Sequence, residues 1–142
     1  MKHNTIQNNT ITLFFRKKVP QYNSIETVFS IIKNHFPYAL SYKENQLPFE
    51  SSSIFSIIKN ISFAKKRQSS INHITGDIHY ICSFLQGKTI LTIHDIESAF
   101  QGNHLKQFII KIFWFWLPAL RVSRITTISN HSKEKIQKLI PF

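Results

Sequence analysis

One cysteine, three glycines and seven acidic residues are all that this 142-residue chain holds of those types. The lone Cys82 excludes an intramolecular disulfide and suits a reducing compartment. It has neither a metal-ligand spacing nor an activating neighbour, so a plain buried thiol is expected. No Cys/His pattern has zinc spacing, and no metal is expected. No Gly-x-Gly-x-x-Gly follows the first apolar run, no Gly-x-x-x-x-Gly-Lys-Ser/Thr occurs, and no Gly-x-Ser-x-Gly elbow is present. Dinucleotide and P-loop chemistry are thereby set aside. The longest apolar stretch, Phe108 to Leu120, is broken by Lys111 and falls short of the ~20 residues a spanning helix needs. The polar start, Met1 to Thr10, shows no apolar leader core, which places the expected location in the cytoplasm.

Acid is scarce, but base is not. Eighteen Lys and Arg against seven Asp and Glu give a net charge of +11. Nucleic acid, an anionic membrane and phosphorylated substrates all answer to such a surface. The cations come in short clusters, Arg16-Lys17-Lys18 and Lys65-Lys66-Arg67, which as a rule are solvated loop and helix faces. Hydrophobic residues at 42% and aromatics at 13% supply one real core.

Apolar periodicity divides the chain into alternating strands and helices. Ile11 to Phe15 reads as a buried strand. Ile25, Val28, Phe29, Ile32 and Phe36 recur at helical spacing behind a Ser24 cap, and Pro37 stops that helix. Residues 38–42 are expected to form a second strand. Ser51 to Ser53 open a second helix, striped by Ile54, Ile57, Ile58 and Ile61. A third strand, 71–75, closes on Gly76-Asp77, with Asp77 as the expected cap of a short helix over 78–85. The fourth strand runs from Lys88 and ends abruptly in His94-Asp95. Glu97 to Asn103 reads as a loop, 105–117 as an apolar helix ended or kinked by Pro118, and 124–129 as the fifth strand. A last amphipathic helix opens at Asn130 or Ser132. Strand–helix alternation with long crossovers predicts an α/β fold, a doubly wound, Rossmann-like parallel sheet.

In such a sheet the residues just after each strand converge on one edge. Here that edge collects Arg16 and Lys17, Gly76 and Asp77 with His79, His94 and Asp95, and Ser129. Two histidines, two carboxylates, a hydroxyl and cations together point to a site rather than to turns alone. Simpler roles stand beside each. His94 can satisfy a backbone carbonyl, Asp95 and Asp77 can cap turns, and His79 is expected on the surface. Ser129 can cap the last helix or meet an anion at its N-terminus, and Arg16 can pair with an anionic substrate or extend into solvent.

Three segments carry a family likeness: His73-Ile74-Thr75-Gly76-Asp77-Ile78-His79-Tyr80, Thr89 to Asp95, and Leu117-Pro118 through Ile125 to Lys133. In this order and spacing they resemble the N-terminal domain of retaining GT-B glycosyltransferases, group 1 or family 4. The resemblance spans nearly the whole chain. It implies half of a GT-B fold, a single domain over 1–142 that is incomplete at its C-terminal end, and an acceptor-binding role. It implies that His94 sits near the transferred sugar and that Ser129 to Lys133 face an interdomain cleft. It also implies that the helix around Lys106 to Trp116 lies where some members meet a membrane or a lipid-linked acceptor. Arg16 and Lys17 would help hold an anionic substrate.

This sequence departs from the family pattern at two places. The segment Phe15 to Ser24 contains no glycine where many relatives carry a glycine-rich loop. The chain also stops before the domain that binds the nucleotide-sugar and supplies a Glu-x7-Glu pair. The expectation is therefore the acceptor-side portion of a glycosyltransferase, inactive alone, with a glycan or lipid-linked acceptor and the missing domain as partners. It needs no cofactor beyond the nucleotide-sugar that serves an intact enzyme as donor. Peripheral contact with the inner face of the membrane is a further expectation. The alternative is a non-catalytic basic module on an anionic membrane or, less readily, nucleic acid, resting on the charge and the aromatic helix around Trp114 and Trp116.

Overall fold

A computed structural model describes residues 10–140 other than 22 and 39. The polar start read for a leader lies almost wholly outside the described residues, as does position 39 of the expected second strand. Five strands, β1 (Ile11–Phe15), β2 (Tyr42–Gln46), β3 (Ile71–Ile74), β4 (Lys88–Ile93) and β5 (Arg124–Thr127), form one sheet. Their order is β2-β1-β3-β4-β5 and every pairing is parallel. The expected doubly wound, Rossmann-like α/β fold is what the chain adopts. The order reverses between β1 and β3, which opens a crevice outside the carboxyl ends of those two strands.

Helices cover both faces, as the alternation along β1 requires. Leu13 and Phe15 turn to α1 (Ser24–Asn34), meeting Ile25 and Phe29. Phe14 turns the other way, into a larger core with Ile74, Leu91, Ile93 and Phe115. That core is closed by α2 (Ile54–Arg67), a short 3₁₀ helix (His79–Phe84), a long helix and α5 (Asn130–Leu139). The long helix has three consecutive parts: α3 (His104–Ile110), a π-helical segment (Lys111–Trp116) and α4 (Leu117–Arg121).

Three sequence expectations give way here. The second strand lies four residues later than expected; ahead of it the Leu40 N–H donates to the Pro37 carbonyl at 2.9 Å, a local bond rather than a sheet bond. As the sheet's outer strand, β2 needs no apolar face, and Lys33 clamps its Glu44 at 2.6 Å. The fifth strand ends at Thr127 rather than Ser129. Of the two outcomes expected at Pro118, the helix does not end there; the π segment before it re-spaces the hydrogen-bond ladder, and the chain stays helical to Arg121.

Gly87, the turn before β4, is held in a tight place. A Cβ there would meet the Ser69 carbonyl oxygen and stand 2.7 Å from that of Ser70 and 2.8 Å from Asn72 Nδ2. Two of the three are backbone atoms and cannot swing aside. Gly87→Ala is expected to destabilise the fold by about 2 kcal/mol, the usual cost of overpacking. A urea midpoint equal to that of the parent chain would show that the turn relaxes freely.

Candidate functional site

The carboxyl edge of the sheet gathers the side chains that the sequence singles out. Arg16, the first residue past β1, reaches across the crevice. Its Nη1 lies 3.4 Å from Asp77 Oδ2, past β3, and its Nε lies 3.8 Å from Glu26 Oε1 on α1. Arg16 is thus a bridge between carboxylates, and its charge is already answered. Asp77 is spent the same way and does not cap the 3₁₀ helix, whose N-cap is Ile78 with no side-chain cap bond. Lys17 is exposed and forms no hydrogen bond or ion pair with another described residue. It is the cation an incoming anion would meet first.

Gly76 is buried under α1. A Cβ at that position would stand 2.8 Å from Ile25 Cδ1, so the missing side chain lets the helix sit directly on the strand end. Next to it, Thr75 donates its hydroxyl to the Phe14 carbonyl at 2.9 Å. The Thr75 carbonyl in turn accepts from His94 Nε2 at 2.8 Å. A carbonyl only accepts, so Nε2 carries the proton and Nδ1 is the ring nitrogen left outside that bond. No described residue hydrogen-bonds that atom, and His94 is only half-buried. The simpler role expected for His94 is real, yet it occupies one nitrogen and orients the other.

Asp95 and Ser129 take structural roles. Asp95 Oδ1 accepts from the Glu97 amide at 3.2 Å, shaping the turn after β4. Ser129 is the N-cap of α5, its hydroxyl oxygen accepting from the Ser132 amide at 3.1 Å. Ser132 Oγ lies 3.4 Å from the His94 carbonyl oxygen, which ties α5 to the end of β4.

His79 overturns the expectation of a surface residue: it is 2% exposed. Its Nδ1 donates to the Trp114 carbonyl at 2.9 Å, and its ring meets Phe115 edge-on at 5.4 Å. In an α-helix the Trp114 carbonyl would accept from residue 118, but Pro118 has no N–H to give. His79 supplies that hydrogen bond from outside the helix, and its Nε2 is left buried without a partner among the described residues. Burial holds its pKa below the ordinary histidine value; the Asp77 and Asp95 carboxylates oppose that and the His94 ring adds to it. His79 therefore lies within electrostatic reach of Asp77, Asp95 and His94.

Among the described residues no group of three or more His, Cys, Asp or Glu is placed to hold a metal ion. Cys82 is buried, and burial pushes its thiol pKa far up, as suits an inert core residue. No family model, curated protein or solved structure matches the chain. The site therefore has to be judged on its own chemistry.

Two features of this region carry no simple sequence signal. One is the burial of His79, whose clue is the proline four residues beyond Trp114. The other is a buried polar network beneath the site. Asn60, fully buried, accepts from the Phe49 amide at 3.2 Å and donates to the Phe49 carbonyl at 2.9 Å and to the Tyr80 hydroxyl at 3.0 Å. Ser51 completes it, 2.8 Å from the same hydroxyl. An asparagine amid isoleucines on an amphipathic helix is the only hint.

Proposed function

We propose that the chain is the acceptor-side domain of a glycosyltransferase of the retaining GT-B class, taking a glycan or lipid-linked sugar at the carboxyl edge of its sheet. One observation carries the proposal: segments far apart in sequence, each resembling that class, are bonded to one another. His94 rests on the Thr75 carbonyl, and Ser132 reaches the His94 carbonyl. In this reading the nucleotide-sugar sits on a second domain outside these 142 residues. His94 Nδ1 accepts a hydrogen bond from a sugar hydroxyl and orients it. Lys17 meets an anionic group, Gly76 and Asp77 form the floor, and Arg16 holds Asp77 in place. Asp95 and Ser129 fix the two turns that frame the ring.

The experiment is an amide chemical-shift titration of the whole chain with a panel of glycan acceptors. Shifts should centre on residues 16–17, 75–77 and 94–95, and His94→Ala should weaken binding about fivefold, the net worth of a single hydrogen bond of about 1 kcal/mol. Silence across the panel, or an unchanged affinity for His94→Ala, would overturn the proposal. Given a nucleotide-sugar and an acceptor, the chain alone is expected to transfer no sugar; turnover by these residues unaided would contradict the division of labour.

A further inference from the structure

Lys111 breaks the apolar run of the long helix at the first residue of its π segment. No helix among the described residues is long and apolar enough to cross a membrane. The lysine has a local setting instead. Its ammonium stands 4.9 Å over the Phe100 ring, and the two side chains line a cleft of about 540 Å³. That cleft lies between the long helix, the second half of α5 and a 3₁₀ turn, Glu97–Phe100. Its volume is that of a small-molecule site. No side chain of the sheet edge around His94 lines it.

Three kinds of group meet in the cleft. Ile96 and Leu139, both buried, give it apolar surface, and Phe100 and Trp116 give it aromatic surface. The Trp116 ring is held in place, since its Nε1 donates to the Leu139 carbonyl at 2.8 Å. Cations come from two helices: Lys111 from the long helix, Lys135 and Lys138 from α5. Lys135 and Lys138 stand three residues apart, so they share one side of α5 and repel each other. Both are exposed, and neither forms a hydrogen bond or ion pair with another described residue. Glu97 is the one carboxylate on the lining. Three ammoniums against one carboxylate leave the cleft cationic.

Each simple occupant leaves one of these groups unanswered. A bare inorganic anion would satisfy the lysines, leave the aromatic wall in water and be opposed by Glu97. An uncharged apolar molecule would cover the rings and leave the ammoniums as they are. We propose that the cleft between the long helix and α5 binds a nucleoside phosphate, which answers all of them. Its base lies against the Phe100 and Trp116 rings, the kind of contact that any base can make. A ribose hydroxyl donates to the Glu97 carboxylate. The phosphates accept from Lys111, Lys135 and Lys138, as charge-assisted hydrogen bonds. The site shares no residue with the sugar-transfer reading and stands or falls apart from it.

Amide chemical-shift titration of the whole chain with ATP, GTP, CTP and UTP tests it. At least one of them should shift residues 100, 111, 116, 135 and 138 and leave residues 16, 17, 76 and 94 in place. Tripolyphosphate and the matching nucleoside each lack half of the ligand and should bind about tenfold more weakly or worse. Lys135→Gln with Lys138→Gln should weaken the nucleotide by about tenfold or more, a hydrogen bond to a charged group being worth about that on its own. Phe100→Ala should weaken the nucleotide about fivefold, the lower end of what base stacking is worth, and leave tripolyphosphate binding unchanged. All three side chains are exposed, so the variants should fold as the parent does, which circular dichroism checks. Silence towards every one of these nucleotides would overturn the proposal. So would tripolyphosphate binding as tightly as the nucleotide, shifts centred on the sheet edge, or a Phe100→Ala chain that binds the nucleotide as the parent does.

Discussion

Replacing Asn60 with leucine should cost about 4 kcal/mol of folding stability. Leucine has the same number and branching of side-chain heavy atoms as asparagine and would be at home in an apolar core, so a shape argument predicts little loss. The loss comes from what the amide serves. Its departure leaves the Phe49 N–H, the Phe49 carbonyl and one side of the Tyr80 hydroxyl without partners in a place where Asn60 itself is fully buried. Each orphaned buried group costs roughly 1–3 kcal/mol. Tyr80→Phe, by contrast, removes one hydroxyl and leaves Asn60 still bonded to the Phe49 backbone, so it should cost only about 1 kcal/mol. Urea melts of the two single variants and the double variant check this as a cycle. The double variant should cost less than the sum, because the two substitutions dismantle one network. An Asn60→Leu chain within about 1 kcal/mol of the parent would show that water had replaced the amide.

That network bears on the site as well as on stability. Asn60 and Ser51 hold the loop after β2 and the start of α2 against Tyr80, and Tyr80 belongs to the 3₁₀ helix that also supplies His79. Tyr80 stacks obliquely on Trp114 at 5.1 Å, whose carbonyl His79 caps. The edge carrying Asp77 and His94 is therefore braced from below by two hydrogen-bonded links, both between a short 3₁₀ turn and a neighbouring helix.

The sequence declares some of this and hides the rest for identifiable reasons. β4 is legible residue by residue, since a β-branched run bounded by Gly87 and His94 can be little else in a parallel sheet. The same holds for β1, buried on both faces. β2 escapes the pattern because it lies at the edge of the sheet and is polar, whereas the apolar residues stand before it. His94 and Asp95 fall where strand-end logic puts them. Arg16 sits there too, but its role as a bridge to Glu26 and Asp77 depends on the β1–β3 reversal, and strand order is not written in local pattern. His79 misleads because a histidine beside an aspartate and a glycine looks like loop chemistry. Its ring is instead buried against a helix 35 residues further on, bonded to the Trp114 carbonyl. The apolar stripe of the long helix is legible as such, but periodicity cannot say which side of a stripe meets the core. Phe115 is buried while Phe108 and Phe113 remain in solvent.

Acid should unfold this protein well before its carboxylates are exhausted. His73 lies on the α1 side of the sheet, its Nε2 2.8 Å from Thr92 Oγ1 and its ring edge-on to Phe29 at 5.1 Å. Burial lowers its pKa from the ordinary 6.5 to about 4. His79 is moved in the same direction by the same cause. Both rings stay neutral in the folded chain as pH drops below 6.5, whereas in the unfolded chain they take up protons there. The unfolded state then binds more protons, so stability falls as pH falls. The contribution is fully present above pH 6.5. For His73 it is lost progressively between pH 6.5 and about 4, a total of roughly 3 kcal/mol at ~1.4 kcal/mol for each pH step between those two values. His79 adds to the slope below pH 6.5 in the same direction. Urea melts at pH 7, 6, 5 and 4.5 should therefore show stability falling steeply across the histidine range. His73→Gln, which keeps a hydrogen-bonding group for Thr92 but cannot titrate, should start from a lower stability at pH 7 and lose markedly less of it on acidification. A variant whose pH slope matches the parent's would mean that the folded chain lets His73 protonate where a solvated imidazole does, and that the sheet face beside α1 is open to water.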